Sequence, residues 1–214
     1  MHDELKAVLV NRRTTYKLLA RLYQLEVDEE TLAQLKGMRF PEATEDESLN
    51  KGGAGLNDAV AKLTPEALDE LAADYARTFL SAGVAEGPAA YPIESVYTSR
   101  EHLIMQGAFE EVSRILAAHG LAEAHKDLYP DHLGVELEFM SWLADKTIKA
   151  LEENKTDEAE QALDEQTSFL QKHLLGWTPK FFDDERSVAQ SDFYRSLADF
   201  TQAWLNADAR WLAA

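Results

Sequence analysis

The chain has 214 residues, 45% of them hydrophobic, with 10 glycines and 6 prolines, a composition that excludes collagen-like and disordered classes and predicts one globular domain, with or without a subdomain. Lysine and arginine number 21 against 39 aspartates and glutamates, and the formal net charge of −18 disfavours nucleic acids and anionic membranes as partners, leaving a cationic partner or plain solubility as its explanation. Cysteine is absent, which excludes disulfides, thiolate catalysis, iron–sulfur clusters and Cys-type zinc sites.

The spacing of apolar residues predicts helices from the start of the chain, beginning with a long amphipathic helix over 3–25. The amino terminus, Met1 to Lys6, is charged and does not lead into the apolar region of a secretory signal. No stretch approaches the length of a membrane span, so we expect a cytoplasmic protein. A short helix is predicted at 28–36. Residues 42–55 are acidic and then glycine-rich, which predicts a long mobile loop.

The middle of the chain is predicted to contain two helices separated by a loop. Thr64 is expected to cap the first helix, which has Pro65 at its first position. Residues 81–91 form a glycine- and proline-containing loop, and a loop of this length in a compact domain is often functional. The second helix is predicted over 100–119, with Gly120 just beyond its end.

The last third of the chain contains three further predicted helices. Asp131 is expected to open the most strongly amphipathic of them. The next covers 157–175 and is closed by Gly176, and the last begins near Val188. No segment shows the period-two alternation of a strand. The predicted fold class is therefore all-α, with about eight to eleven helices.

These helices are expected to form a single domain over 1–214. We divide it into an N-terminal helical part (1–120), a hinge at 121–130 and a C-terminal helical part (131–214).

The sequence offers few constellations of catalytic residues. None of the six histidines follows a glutamate by three positions, as a di-iron bundle requires, and no phosphate-binding loop or nucleophile elbow is present. Asp131, His132 and Glu136 could together hold a metal ion, which would make the chain a metal-dependent helical enzyme. A helix-capping arrangement explains the same residues without a metal, and a purely structural interaction protein is a third hypothesis.

Three segments place polar residues in unusual surroundings. Residues 91–99 carry two tyrosines and a proline, either as a loop pinned by the tyrosines or as the wall of a groove for an extended peptide. Asp131 suits a helix cap, whereas an imidazolium is disfavoured at the position of His132, and a neutral ring there could hydrogen-bond a ligand. In 169–181, His173 lies on an apolar helix face and is expected to be a hydrogen-bonded core residue.

The motifs in these segments occur in a recognisable order. Glu-Ser-Val-Tyr stands at 94–97, Asp-His-Leu-x-x-Glu-Leu-x-Phe-Met at 131–140 and Phe-Leu-x-x-His-Leu-x-x-Trp-x-Pro-x-Phe at 169–181, and 192–195 also fits. In this order they resemble the TorD/DmsD/NarJ family, cytoplasmic chaperones that mature complex molybdenum oxidoreductases. The resemblance covers residues 70–205.

The resemblance implies a TorD-like all-helical chaperone that is not an enzyme and needs no cofactor of its own. Such a protein binds a twin-arginine or related signal peptide together with the apo form of a molybdopterin-dependent oxidoreductase subunit. It holds that subunit for cofactor insertion and for export or assembly, as a monomer or a homodimer, without binding nucleic acid or inserting stably into a membrane. The motifs do not distinguish among the possible client oxidoreductases.

The resemblance also implies which residues bind the peptide. They are Tyr91, Pro92, Glu94, Ser95, Tyr97, Asp131 and His132. The leader's arginines would lie near Glu94 and Asp131, and its apolar stretch against the aromatic side chains. On this basis Asp131→Ala or His132→Ala is expected to weaken leader binding and to leave the helical fold nearly intact.

Overall fold

The structure is a computed structural model that describes residues 2–80, 89–124 and 127–214, and it confirms the all-α fold class. Within those residues the sole β-type pairing is an isolated antiparallel bridge between Ile93 and His132. The ten α-helices are α1 (His2–Gln24), α2 (Glu29–Lys36), α3 (Glu47–Lys62), α4 (Leu68–Leu80), α5 (Glu94–Thr98), α6 (Gly107–Ala118), α7 (Leu133–Glu152), α8 (Thr156–Phe169), α9 (Thr178–Val188) and α10 (Asp192–Leu212). None of these helices is both long enough and apolar enough to cross a membrane.

The helices form two compact units, each assembled from separate stretches of sequence. Unit 1 consists of Met1–Gln24, Ile93–Trp177 and Trp211–Ala214, and unit 2 consists of Leu25–Pro92 and Thr178–Arg210. This division differs from the predicted one at 121–130, because α1 packs along α7 and both belong to unit 1. The predicted hinge segment therefore falls inside unit 1.

Unit 1 is held together by a buried arginine as well as by apolar packing. Arg12 on α1 donates a hydrogen bond of 2.5 Å to Gln166 Oε1 on α8. Its guanidinium also lies 4.5 Å from the centroid of the Trp211 ring, a cation–π contact that strengthens when water is excluded. Because the planar guanidinium can bond at its edge and stack on its face, one side chain links α1 to α8 and to the C-terminal residues.

In unit 2, the predicted mobile loop at 42–55 is wrong. The side chain of Asp46 accepts from the backbone N–H of Leu49 at 3.0 Å and so caps α3, which runs through the glycine-rich stretch. A Cβ at Gly52 would lie 2.9 Å from the Cα of Phe200. Glycine is therefore needed for the close approach of α3 to α10, and not for flexibility.

The start and end signals assigned to two other helices have different outcomes. Thr64 makes no side-chain capping bond, and the residues after it form a single 3₁₀ turn (Pro65–Ala67) before α4 begins. Gly120 is confirmed as the residue beyond the end of α6, because its φ is +73° and the next N–H, from Leu121, bonds back to Leu116 at 2.9 Å. Most of the predicted 81–91 loop lies outside the described residues.

Three further helix boundaries were predicted incorrectly. α6 begins only at Gly107, because the residues before it form an irregular segment. The helix predicted over 157–175 changes at Leu170 into a π-helical turn (Leu170–Leu174), closed by a 2.9 Å bond from the N–H of Leu175 to the carbonyl of Leu170. The sequence analysis also missed α9, which occupies part of the stretch assigned to the connection before the last helix.

Candidate functional site

The candidate site begins where the chain after Pro92 meets the start of α7. The backbone N–H of Glu94 donates to the carbonyl of Asp131 at 2.9 Å, beside the bridge between Ile93 and His132. The short helix α5 starts at this contact. Two segments that are distant in sequence, the Glu-Ser-Val-Tyr and Asp-His-Leu motifs, are therefore joined through their backbones.

The side chain of Asp131 fixes α5 rather than capping α7 as predicted. Its Oδ2 accepts from the backbone N–H of Ser95 at 3.0 Å and from the Ser95 hydroxyl at 2.5 Å. The Ser95 oxygen in turn accepts from the N–H groups of Gln106 at 3.2 Å and Phe109 at 3.3 Å. These N–H groups lie at the start of α6, where Gln106 provides no side-chain cap. One hydroxyl thus satisfies donors of α6 while giving its own proton to Asp131.

The carboxyl group of Asp131 is buried, and its environment acts on its acidity in two directions. Burial raises the pKa of Asp131, whereas the hydrogen bonds from Ser95 lower it by stabilising the carboxylate. The net effect is a raised pKa. A charge on Asp131 is therefore costly, and its side chain organises the backbone around it through the bonds to Ser95.

His132 is the residue that caps α7. Its Nδ1 accepts from the backbone N–H of Gly134 at 3.0 Å, so the ring proton of this histidine is on Nε2 and the ring is neutral. A neutral ring agrees with the sequence argument, because the positive end of the helix dipole disfavours an imidazolium there. The ring therefore accepts a hydrogen bond from a backbone N–H in the first turn of α7.

Below α5 lies a buried group of acidic and histidine side chains. Glu94 Oε2 is 2.9 Å from His173 Nδ1, which confirms His173 as a hydrogen-bonded core residue. Glu136 on α7 is fully buried beside this pair. Burial, followed by the charges of Glu94 and Asp131, raises the pKa of Glu136 well above its usual range. Trp177 closes the group by donating from its indole N–H to the carbonyl of His173 at 2.6 Å.

The burial of these side chains bears on the predicted direct contact with a leader's arginines, which stays a prediction. Glu94, Ser95, Asp131 and His132 are all buried. Tyr97 is half-buried, with its ring 5.5 Å from that of Trp177. The two remaining predicted residues belong to unit 2, where Tyr91 is exposed and Pro92 is buried.

The metal set suggested by the sequence, Asp131, His132 and Glu136, is not brought together as a ligand group. Asp131 bonds Ser95, and His132 bonds the backbone of α7. Among the residues that the structure describes, the one acidic and histidine group with the spacing of metal ligands is instead Glu94, Glu136 and His173. Each of these three residues lies in a motif recognised from the sequence, but their association was not predicted.

The irregular segment before α6 exposes apolar side chains that the sequence analysis assigned to a helix. Leu103 is 56% exposed and Met105 is 55% exposed, with Ile104 between them also exposed; we call these three residues the apolar ridge. The backbone reverses at His102 and Met105, whose φ angles are +54° and +57°. Three consecutive apolar residues do not fit one helix face, and this was the available sequence signal.

The apolar ridge is held in place by hydrogen bonds on both sides of its turn. The Ser99 hydroxyl accepts from the N–H of Leu103 at 3.2 Å, and Nδ1 of His102 donates to the carbonyl of Val96 at 2.9 Å. At its far end the segment is bonded to Ser95 through Gln106. The buried Ser95–Asp131 contact therefore fixes the backbone that carries exposed apolar side chains.

Comparison with known proteins identifies the family to which this sequence is similar. A family model described as the nitrate reductase delta subunit matches residues 42–183. The chaperone protein TorD of Vibrio parahaemolyticus is 29% identical, with 98% of each chain covered. TorD of Vibrio cholerae is 28% identical, with 99% of this chain and 96% of the relative covered.

A solved structure supports the fold independently. The crystal structure of a proposed redox enzyme maturation protein from Archaeoglobus fulgidus matches 94% of both chains with a TM-score of 0.50 at 19% identity. The curated relatives are named as chaperones. The chain belongs to the nitrate reductase delta subunit family, the family of the TorD and NarJ chaperones.

Proposed function

We propose that this chain is a cytoplasmic chaperone for a molybdopterin-dependent oxidoreductase. It binds the signal peptide and the apo form of the catalytic subunit, and holds that subunit for cofactor insertion and for export or assembly. The observation that carries the proposal is the apolar ridge, an exposed apolar surface on a segment fixed by Ser95 and Asp131. Family membership supports the chaperone role, and the apolar ridge supports the position of the peptide-binding surface on the chain.

An apolar leader segment matches the ridge in chemistry. Leu103, Ile104 and Met105 are consecutive and exposed, and burying such side chains against an apolar partner is favourable by about 1.5–3 kcal/mol for each one fully buried. Exposed apolar patches on a protein surface commonly mark interaction sites. Methionine adapts to partners of different shape, which suits a surface that receives leader sequences of varying composition.

In this proposal the cationic part of a leader contacts exposed acidic residues and not the buried carboxylates. Glu101 and Glu110 flank the apolar ridge in sequence, and both are exposed. Exposed ion pairs each contribute only about 0–1 kcal/mol, so most of the affinity is assigned to the apolar contact. The net charge of −18 instead accelerates the encounter with a basic leader at low salt.

The residues implied by the family resemblance therefore take different parts in the proposal. Tyr91 and Tyr97 are available for contact with a peptide because they are exposed and half-buried, respectively. Glu94, Ser95, Asp131 and His132 act as positioning residues for the backbone around α5 and the start of α7. Pro92 is buried, and we assign it to the shape of the loop before α5.

The proposal is tested by calorimetric titration of the full chain with a synthetic twin-arginine leader peptide. The double variant Leu103→Asp with Met105→Asp is expected to bind at least about tenfold more weakly, because a loss of 1.4 kcal/mol already changes affinity tenfold. The matched control is Leu25→Asp, which alters a side chain that is 58% exposed in unit 2 and is expected to leave affinity unchanged. Circular dichroism checks that helicity is preserved.

Two results would contradict the proposal in different ways. If the wild-type chain binds no oxidoreductase leader, the function is wrong. If it binds and the double variant binds equally well, the function stands and the ridge is not the site. A leader in which both arginines are replaced by glutamine is expected to bind more slowly with a smaller loss of affinity, which separates the charged contribution from the apolar one.

A further inference from the structure

The buried group of Glu94, Glu136 and His173 has a geometry that its role in the core does not explain. One potential ligand atom from each residue, a carboxylate oxygen or a ring nitrogen, lies within 4.8 Å of the other two. The three side chains come from α5, α7 and the π-helical turn after α8, all in unit 1. All three are at least nine-tenths buried, so water does not solvate the charges of this group.

Glu136 provides the second observation. Both of its carboxyl oxygens are buried, and neither makes a hydrogen bond of good geometry within the described parts of the chain, although Glu94 and Trp177 lie close enough to affect the pKa of Glu136. Leaving a buried polar group unpaired costs about 1–3 kcal/mol, and more when the group is charged. His173 adds a further unpaired atom, because its Nε2 is also buried without a partner. Buried polar atoms without good hydrogen bonds are an expected sign of a bound ion or water.

A proton alone accounts for only part of this arrangement. A proton placed on Glu136 removes its charge and lets it donate to Glu94, but the buried Nε2 of His173 stays without a partner among the described residues. A divalent cation compensates the negative charges of Glu94 and Glu136 together. It also accepts a lone pair from the imidazole ring of His173, which a proton shared by two carboxylates does not do.

We propose that Glu94, Glu136 and His173 form a binding site for one divalent transition-metal ion. Two carboxylates and one imidazole suit zinc, manganese or ferrous iron, and the order of affinities for such ligands favours zinc among these three. The absence of cysteine leaves oxygen and nitrogen ligands for this ion. A metal at this point would link α5, α7 and the π-helical turn. This role is structural and separate from leader binding.

The test uses Zn²⁺ as the probe and the full chain. The protein is unfolded in urea with a chelator, refolded with or without Zn²⁺, passed through metal-free buffer, and assayed for zinc by mass spectrometry. One zinc ion per chain is expected, together with a higher Tm than that of the chelated sample, because a ligand that binds only the folded state stabilises it. Absence of retained zinc in the wild-type protein would overturn the site.

Variants separate this site from adventitious binding. Glu136→Gln preserves the volume of the side chain, removes a ligand oxygen and is expected to abolish zinc retention; His173→Gln is expected to do the same. The matched control is His119→Gln, since His119 in unit 1 is paired with Glu165 at 2.5 Å but belongs to no three-residue ligand group among the described residues. Equal zinc in the wild type and in Glu136→Gln would show an adventitious ion only.

A measurement on the unmutated chain covers the case in which these variants fail to fold. X-ray absorption of the zinc-loaded protein is expected to show one imidazole and only nitrogen or oxygen neighbours at about 2.0–2.2 Å. A spectrum without an imidazole contribution, or with several, would overturn the assignment. Leader binding by the same samples is measured separately. If the wild-type protein retains no zinc but binds the leader, only this metal site is refuted. If it retains zinc but does not bind the leader, only the proposed function is refuted.

Discussion

The two hydrogen bonds from Ser95 to Asp131 make a strong prediction about stability. In Asp131→Ala the Ser95 N–H and hydroxyl lose an acceptor in a buried place, and bonds to a charged group contribute about 1.5–3 kcal/mol each. Removing a carboxylate whose pKa is raised by burial relieves part of that loss. We therefore expect the free energy of unfolding in urea, followed by tryptophan fluorescence, to fall by about 2–4 kcal/mol.

This expectation replaces the one from the sequence, in which Asp131→Ala leaves the fold nearly intact. Asp127→Ala, an exposed change in the same region, serves as the control and is expected to stay within about 0.5 kcal/mol of the wild type. Ser95→Ala combined with Asp131→Ala is expected to cost less than the sum of the single changes, because both remove the same contact. A cost for Asp131→Ala below about 0.5 kcal/mol, or strict additivity, would refute the reasoning.

Two further stability predictions concern α3 and α7 and use the same urea assay. Gly52→Ala should destabilise the folded chain by about 1–3 kcal/mol, because its Cβ would meet the Phe200 backbone. Gly55→Ala on the same helix meets only Ser196, with the hydroxyl at 3.6 Å, and should stabilise the fold by about 0.5–1 kcal/mol. Equal effects of the two changes would contradict the packing argument. His132→Ala should lower the free energy of unfolding by about 0.5–2 kcal/mol, because α7 loses its cap. His132→Asn should restore most of this loss, since asparagine is a good capping residue. If asparagine does not restore it, the histidine ring does more than cap α7.

The helices with an uninterrupted apolar stripe were predictable from the sequence, and the exceptions have physical causes. The periodicity of 3–25 gave α1 almost to its exact ends. The stretch at 42–55 has a composition typical of a loop, but the cost of its glycines in a helix is offset by the close packing of Gly52 on α10. A partner that is distant in sequence decides this case, and local composition carries no information about it.

In the candidate site too, the role of a single side chain depends on a partner that is distant in sequence. Asp131 and His132 are adjacent at a helix start, and either could serve as the cap by residue type. The choice depends on Ser95, which lies far away in sequence and takes the carboxylate of Asp131, so that His132 is left to cap α7. The motif resemblance brought these residues together correctly but could not reveal that their polar groups face inward.

The inward orientation changes what the acidity of this chain can explain. Glu94, Asp131 and Glu136 are the acidic residues of the motifs around α5, and all three are buried. Glu94 is hydrogen-bonded to His173 and Asp131 to Ser95, while burial raises the pKa of Glu136 well above its usual range. Under the proposed function, attraction of a basic leader is therefore assigned to the exposed acidic residues. The motif carboxylates would then affect leader binding through the shape of the ridge and not through its charge.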